Sequence, residues 1–382
     1  MIKPNNPAFA LQDEKSSLKL GELFCGPGGI ALGAIKAGVQ NKGRSLAIEH
    51  SWASDWDEDT CATYRHNICP DNHQSVICSD VRKLDISALR PIDIFAYGFP
   101  CNDFSIVGEH RGITGSFGPL YTYGIKIIDH LKPLVIIAEN VGGLTSANEG
   151  RTFQTILDSL SNAGDGYELT CHKYRFEDYG VPQARHRIII VGFATKTGLT
   201  FRVPAPTHLG RAISASEAIE RPPIRQNAKN HDFTKQSKTV IERLLKTGPG
   251  ENVWNADLPD RLRLNVKKAK LSQIYKRLHP DRPSYTITGS GGGGTHGYHW
   301  KEPRALTNRE RARLQTFPDS FEFKGSKESI RKQIGMAVSP LMSEIIFGSV
   351  LKTLAGRGYP SVQENCTYQA DLFTKVTSLN RR

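Results

Sequence analysis

Five short apolar runs, each closed by a polar or glycine-rich stretch, constrain this chain more than any other feature. They are Leu18–Phe24, a run from near Leu46 that closes on Ser54-Asp-Trp-Asp57, Ser75–Asp80, Ile92–Tyr97 and Pro133–Gly143. Their length and their β-branched and aromatic content predict buried strands. Between and after them, 119–131 and 151–163 read as helices, 167–174 and 188–192 as further strands. Strands alternating with helices predict an α/β fold with a doubly wound, mostly parallel sheet whose polar strand ends gather on one edge. Ligands of such sheets bind at that edge.

Residues suited to chemistry stand there. After the first strand, Cys25-Gly-Pro-Gly-Gly29 opens a helix: Gly26, Gly28 and Gly29 allow tight turning and close approach, and the helix start offers unpaired N–H groups. This is a nucleotide-type cofactor loop, although it also satisfies the loose dinucleotide fingerprint. Asp55 suits ribose hydroxyls or a helix N-cap, and Trp56 a stacked base or the core. Cys101, on the loop after the fourth strand, is either a presented nucleophile or a small buried hydrophobe. Glu139 follows five apolar residues, so it is either a partly desolvated acid with a raised pKa or an ordinary strand-ending carboxylate. In Gln183-x-Arg185-x-Arg187 the alternation of an extended chain points both arginines to one side, toward a phosphate or a base carbonyl.

The 382 residues suggest two domains, and charge says where they divide. From Lys196 to Trp300 there are 18 Lys plus Arg against 8 Asp plus Glu, while the remainder has 32 against 30. That block of positive field is a footprint for a polyanion. No apolar run approaches 18 residues, the start from Met1 to Ser17 is polar, and the seven cysteines show no pairing pattern. A soluble chain from a reducing compartment is expected. Cys61, His66, Cys69 and Cys78 lack paired ligand spacing, so no metal is expected.

Taken in order, these segments resemble the DNA cytosine-5 methyltransferases over most of the chain. Glu22-Leu-Phe-Cys-Gly-Pro-Gly-Gly29 is similar to the family's S-adenosylmethionine motif, Gly98-Phe-Pro-Cys101 to its nucleophile loop, Glu139-Asn-Val141 to its second catalytic motif, and Gln183-Ala-Arg-His-Arg187 to its arginine motif. Arg277-x-x-x-Pro280 with Tyr285-Thr-Ile-Thr288 resembles the segment after the target-recognition domain; Leu306–Pro318 and Gly335-Met-Ala-Val338 resemble the closing motifs.

The resemblance implies a Rossmann-like methyltransferase fold with a second, smaller, basic target-recognition domain. Its expected divisions are a tail (1–17), a catalytic and cofactor domain (18–195), target recognition and hinge (196–300), returning helices (301–357) and a second tail (358–382). It implies Cys101 as nucleophile, Glu139 at ring nitrogen N3, Arg187 at the carbonyl O2, and Arg185 ordering the nucleophile loop or a phosphate. S-adenosylmethionine would meet Phe24, Gly26, Gly28, Gly29, Asp55, Trp56, Asp80, Val81, Pro100 and Leu120. Double-stranded DNA would meet Asn102, Ser105, Gln183, Arg277 and Thr286. A monomeric, cytoplasmic bacterial enzyme is expected, with a separate restriction endonuclease as companion and no membrane. A transfer-RNA substrate, or a non-catalytic DNA-binding protein on the same scaffold, are the alternatives. Two departures stand out: Asn102 where the family usually has Gln, and Met336 where it has Asn, which removes a hydrogen-bonding group near the cofactor.

Overall fold

The computed structural model describes residues 16–41, 44–99, 120–143, 151–265, 272–289 and 294–366. The chain runs from β1 (Ser17–Leu23) through α1 (Gly29–Lys36), β2 (Gly38–Asn41), β3 (Arg44–Asp55), α2 (Glu58–Ile68), β4 (Val76–Cys78) and β5 (Ile94–Gly98). It continues with α3 (Tyr121–Leu131), β6 (Val135–Val141), α4 (Arg151–Asn162), β7 (Tyr167–Arg175), β8 (Gln183–Ala184), β9 (His186–Ala194) and β10 (Val203–Pro204). Then come α5 (Ala215–Glu220), α6 (Lys238–Lys246), β11 (Ser284–Tyr285), α7 (Asn308–Leu314), α8 (Lys327–Met336), α9 (Pro340–Leu354) and β12 (Ser361–Val362).

The main sheet has the order β2-β3-β1-β5-β6-β9-β7, with β4 also on β3. Pairings β3/β1, β1/β5, β5/β6 and β3/β4 are parallel, as expected. Pairings β2/β3, β6/β9 and β9/β7 are antiparallel, so the sheet is mixed rather than mostly parallel. Connection length explains the difference: β2 reaches β3, and β7 reaches β9, without the long crossover that a parallel neighbour needs.

Alternation along the central strands builds two apolar layers, one per face. Ile94, Ala96, Val135 and Ile137 face a layer shared with Ile30 and Ala34 of α1 and with Met342, Ile346 and Val350 of α9. Phe95, Tyr97, Ile136 and Ala138 face the other, with Ile127 and Ile128 of α3 and Ile156 and Leu160 of α4. Helices therefore cover both faces and leave the carboxyl edge of the strands for the site.

Three local features differ from the segment-by-segment expectation. Leu199, Phe201 and Val203 are buried in the first layer, so the chain stays with the sheet past residue 195. At the other end, β12 pairs with β10, and Glu364 and Asn365 accept the N–H groups of Cys171 and Lys173 at 3.1 and 2.7 Å. A segment expected as tail thus covers the edge strand β7. Finally, the helix expected over 330–354 is two helices, broken at Ala337–Ser339, where Pro340 disfavours helical backbone in the residue before it. The stretch 327–354 is apolar enough to cross a membrane by composition alone, but 72% of its most apolar window is buried inside the protein.

Away from the sheet, Leu244, Val253, Leu258, Leu262, Tyr275, Tyr298 and Ala305 form an apolar cluster of their own, within and just beyond the basic segment.

Candidate active site

Three strand ends converge at the middle of the carboxyl edge. Gly98, the last residue of β5, lies opposite Glu139 of β6. On the other side of β6, Arg187 of β9 pairs with Val141. Arg187 is therefore the diagonal, same-face neighbour of Glu139, the arrangement in which long side chains meet across antiparallel strands. Its Nε stands 3.0 Å from Glu139 Oε1, both side chains about one-seventh exposed, and Arg187 Nη1 donates to the His186 carbonyl at 2.8 Å. A side chain at Gly98 would crowd Glu139 Oε2 at 3.3 Å, so glycine there allows the approach. Next to Glu139, the buried Asn140 donates through Nδ2 to the Phe99 carbonyl at 3.1 Å and accepts from the Val141 N–H at 2.8 Å. Asn140 thereby fixes the backbone two residues before Cys101. Cys101 itself, with Pro100, Asn102 and Ser105, lies outside the described residues.

The neighbouring strands β1, β3 and β4 present the glycine loop. Phe24 turns the chain with φ of 54°, a left-handed conformation costly for an aromatic residue and often found at functional sites. Gly26 and Gly28 continue the turn with φ of 56° and 99°. The loop is tight toward the protein and open away from it. A Cβ on Gly28 would meet Ile68 at 2.8 Å and one on Gly29 the Val338 carbonyl at 2.2 Å, whereas one on Gly26 would meet nothing within 4 Å. No side chain caps α1 at Gly28, and the Ala31 N–H one turn in lies against the buried Glu22 carboxyl.

Asp55 holds this cradle together. Its Oδ2 accepts the Gly26 N–H at 3.0 Å, and its Oδ1 accepts those of Trp56 and Asp57 at 2.8 and 3.2 Å. Burial pushes its carboxyl pKa up, against the lowering effect of those donors. The Trp56 indole is 67% exposed, so it is no core aromatic. Asp80 caps the turn at Val81–Lys83 and is gripped by the Arg82 guanidinium, which with the Arg82 N–H holds the carboxyl at about 2. Val81 is buried in the second layer, and Leu120 packs partly buried against it. The donors, the open side of the loop and the exposed indole suit a ligand with a hydroxylated sugar, a planar base and a chain that lies against the glycines.

A family model described as C-5 cytosine-specific DNA methylase matches residues 18–352. The chain belongs to this family. It is 58% identical to the Type II methyltransferase M.BbvI of Brevibacillus brevis, over 92% of this chain and 95% of that one. With the Type II methyltransferase M.NgoFVII of Neisseria gonorrhoeae it shares 39% identity over 86% and 85% of the two chains. An E. coli prophage protein assigned as a DNA modification methyltransferase shares the fold, with a TM-score of 0.68 at 23% identity over 88% of this chain and 99% of that one. As a member of the family the chain is a DNA (cytosine-5-)-methyltransferase, and the convergence of β5, β6 and β9 beside the glycine loop is where its chemistry is to be sought.

Within this family site, several expected side chains are occupied elsewhere. Gln183 is wholly buried; its amide donates to the Leu314 carbonyl at 3.1 Å and accepts the Ile287 N–H at 2.9 Å, so it is not placed to meet DNA. Arg277 is equally withdrawn: buried, it donates to the carbonyls of His299, Leu244 and Thr247 at 2.8–2.9 Å, and to that of Trp300. Thr286 Oγ1 donates to the Ala184 carbonyl at 2.7 Å. Arg185 lies close enough to Arg187 and Glu139 to feel their charges, but its donors turn to backbone carbonyls. It is buried, donates to the carbonyls of Ile287 and Ala337 at 3.4 and 3.0 Å, and is out of a phosphate's reach. Burial and the nearby Arg187 push its pKa down to about 9. Its position ties β8, the segment around Ile287 and the end of α8 together behind the Glu139–Arg187 pair.

Sequence reasoning missed Asn140 as a brace and the Val338 carbonyl as the lid on Gly29. The first was signalled by its place beside Glu139; the second is a backbone contact with no sequence signal. Met336 is 52% exposed at the end of α8, beside Gly289.

Proposed function

We propose that this enzyme transfers the methyl group of S-adenosylmethionine to C5 of a cytosine turned out of duplex DNA, by way of a covalent adduct between Cys101 and C6. The observation that carries the reading is the Glu139–Arg187 pair, in contact at 3.0 Å beside the strand that leads into Cys101. N3 and O2, both bonded to C2, are neighbouring acceptors on one edge of cytosine, so a carboxyl and a guanidinium already side by side match that edge. S-adenosylmethionine supplies an electrophilic methyl group when bound.

The chain's own residues do the rest. Cys101 thiolate adds to C6, and the displaced ring electrons move toward N3, where Glu139 supplies a proton or hydrogen bond, and toward O2, where Arg187 donates. C5 becomes nucleophilic and would take the methyl group as the methyl–sulfur bond of the sulfonium breaks, leaving S-adenosylhomocysteine. Loss of the C5 proton to solvent then reforms the C5–C6 double bond and expels Cys101 as thiolate, while any proton given to N3 returns to Glu139. Since a stacked base exposes none of these atoms, the cytosine leaves the helix. Phe24, Asp55, Trp56, Asp80 and Leu120 line the cofactor side: Asp55 toward the ribose hydroxyls, Asp80 toward the adenine amino group, Phe24 and Trp56 against the base. Asp80 meets its ligand while still gripped by Arg82.

Residues from about 205 to 300 form the target-recognition domain, supported by the separate apolar cluster there and the positive balance of the segment. Its likeness in sequence to Type II methyltransferases supports a bacterial cytoplasmic enzyme that protects host DNA beside a separate endonuclease. The test is transfer of a labelled methyl group to duplex DNA and, separately, to transfer RNA, followed by bisulfite mapping. The expected result is label in DNA alone, at one cytosine of a short recurring sequence. Label confined to transfer RNA, or none in either, would overturn the reading.

A further inference from the structure

The exposed indole of Trp56 does not stand alone at the rim of the glycine loop. Lys332, in the second half of α8, carries its ammonium 5.1 Å from the centre of the Trp56 ring and 3.9 Å from Asp57 Oδ2. Asp57 is itself fixed as the N-cap of α2, accepting from the Thr60 N–H and hydroxyl at 2.9 and 2.6 Å. Trp56 is fixed at its backbone by Asp55, so only the ring is free to swing. Helix α8 is held rigidly enough to brace that ring. Gln333, next to Lys332, accepts from the Thr63 hydroxyl at 2.7 Å and donates to the Lys324 carbonyl at 2.9 Å. Gly335 packs so closely on Thr288 and Gly289 that a Cβ would lie 2.0 Å from the Gly289 nitrogen.

We propose that Lys332 is a positioning residue for the cofactor: held by Asp57, it covers one face of the Trp56 indole and fixes the ring with its remaining surface toward the glycine loop. A cation over an indole is attracted by the ring quadrupole. An aromatic ring held in place before binding loses less freedom when a ligand stacks on it. Through this contact, the C-terminal helix α8 reports to the amino-terminal cofactor cradle. The inference rests on the cofactor site proposed above.

The experiment uses the full chain in two arms. In the cofactor-free protein, acrylamide quenching of Trp56 emission is isolated by subtracting a Trp56→Phe variant. Lys332→Met is expected to raise the quenching constant roughly two-fold, and Lys332→Arg, which keeps the cation, to leave it near the native value. In equilibrium dialysis with S-adenosylmethionine, Lys332→Met weakens binding about two- to five-fold and raises KM by the same factor, with kcat at saturating cofactor within about two-fold of native. Lys332→Arg restores binding. In a Trp56→Ala background, which itself binds more weakly, Lys332→Met has no further effect. Unchanged quenching and affinity in Lys332→Met, or the same loss with and without Trp56, would overturn the clamp while leaving the cofactor site standing. Undiminished affinity in Trp56→Ala would remove the cofactor from this rim and the clamp with it.

Discussion

Glu22, the residue before Leu23 and Phe24, is wholly buried beneath the glycine loop, and burial pushes its carboxyl up to about 8 although the Tyr64 hydroxyl donates to Oε2 and works against the rise. Oε1 has no hydrogen-bond partner among the described residues, and the Ala31 N–H, like Tyr64, works against the rise. Tyr64 is held in turn by His50 Nδ1 at 3.1 Å, with His50 Nε2 2.7 Å from the Ser75 hydroxyl. Burial, aided by Arg90, pushes His50 down to about 4, so the Glu22–Tyr64–His50 row of side chains is neutral near pH 7. An acid held protonated when folded but ionised when unfolded stabilises fully below about 4.5, its ordinary value. That contribution is lost as pH rises through about 8. Native stability, followed by denaturant unfolding, is therefore expected to decline more steeply from pH 5 to 8 than that of Glu22→Gln, by roughly 1.4 kcal/mol per pH unit at most. Parallel curves for the two proteins would refute a proton on Glu22. The same scale decides what the site owes to individual side chains: Glu139 and Arg187 meet, Asn140 braces the turn toward Cys101, and Asp55 spends both oxygens on the loop that it shapes.

At the scale of elements, basic residues do two different jobs. Arg277, in an irregular stretch, and Arg309, on α7, sit buried and give their donors to backbone carbonyls; Arg309 reaches those of Lys229, Pro318 and Phe321 at 3.0, 3.0 and 2.6 Å. Loops leave carbonyls without ladder partners, and a guanidinium with five donors can satisfy several at once. Arg277→Met is expected to lower stability by about 3 kcal/mol and to leave the salt dependence of DNA binding unchanged. A weakened salt dependence at native stability would restore Arg277 to the DNA surface. This explains why the site was only partly legible in the sequence. Strands β1, β3, β5 and β6 and the residues at their ends could be read, because an apolar period followed by Gly, Asp, Cys or Glu is a local pattern. Whether an arginine serves a phosphate or a loop carbonyl is not local, and so Gln183 and Arg277 were misplaced, while the loop that Arg185 was expected to order lies outside the described residues. Of the antiparallel strands, β7 and β9 were read but β2 and β12 escaped for a similar reason. Strand β2 is four residues of a hairpin without alternation, and β12 is too short for any periodic signal.

Over the whole molecule, the glycine loop and the Glu139–Arg187 pair occupy adjacent halves of one sheet edge, joined at β1/β5, and the segment of greatest positive balance follows in the chain. A polyanion bound there is expected to release counterions, so log K against log salt should fall with a slope of about −0.9 per phosphate neutralised; a flat dependence would contradict the polyanion reading. Buried arginines such as Arg277 make the number of phosphates smaller than the formal charge suggests. The most direct test of the whole account is a trap. With S-adenosylmethionine and duplex DNA carrying 5-fluorocytosine at the target, methylation leaves no proton at C5 to depart, so Cys101 cannot be expelled. A denaturing gel should then show protein and DNA joined in one band that is absent from Cys101→Ser, whereas a band that survives this substitution would contradict the account.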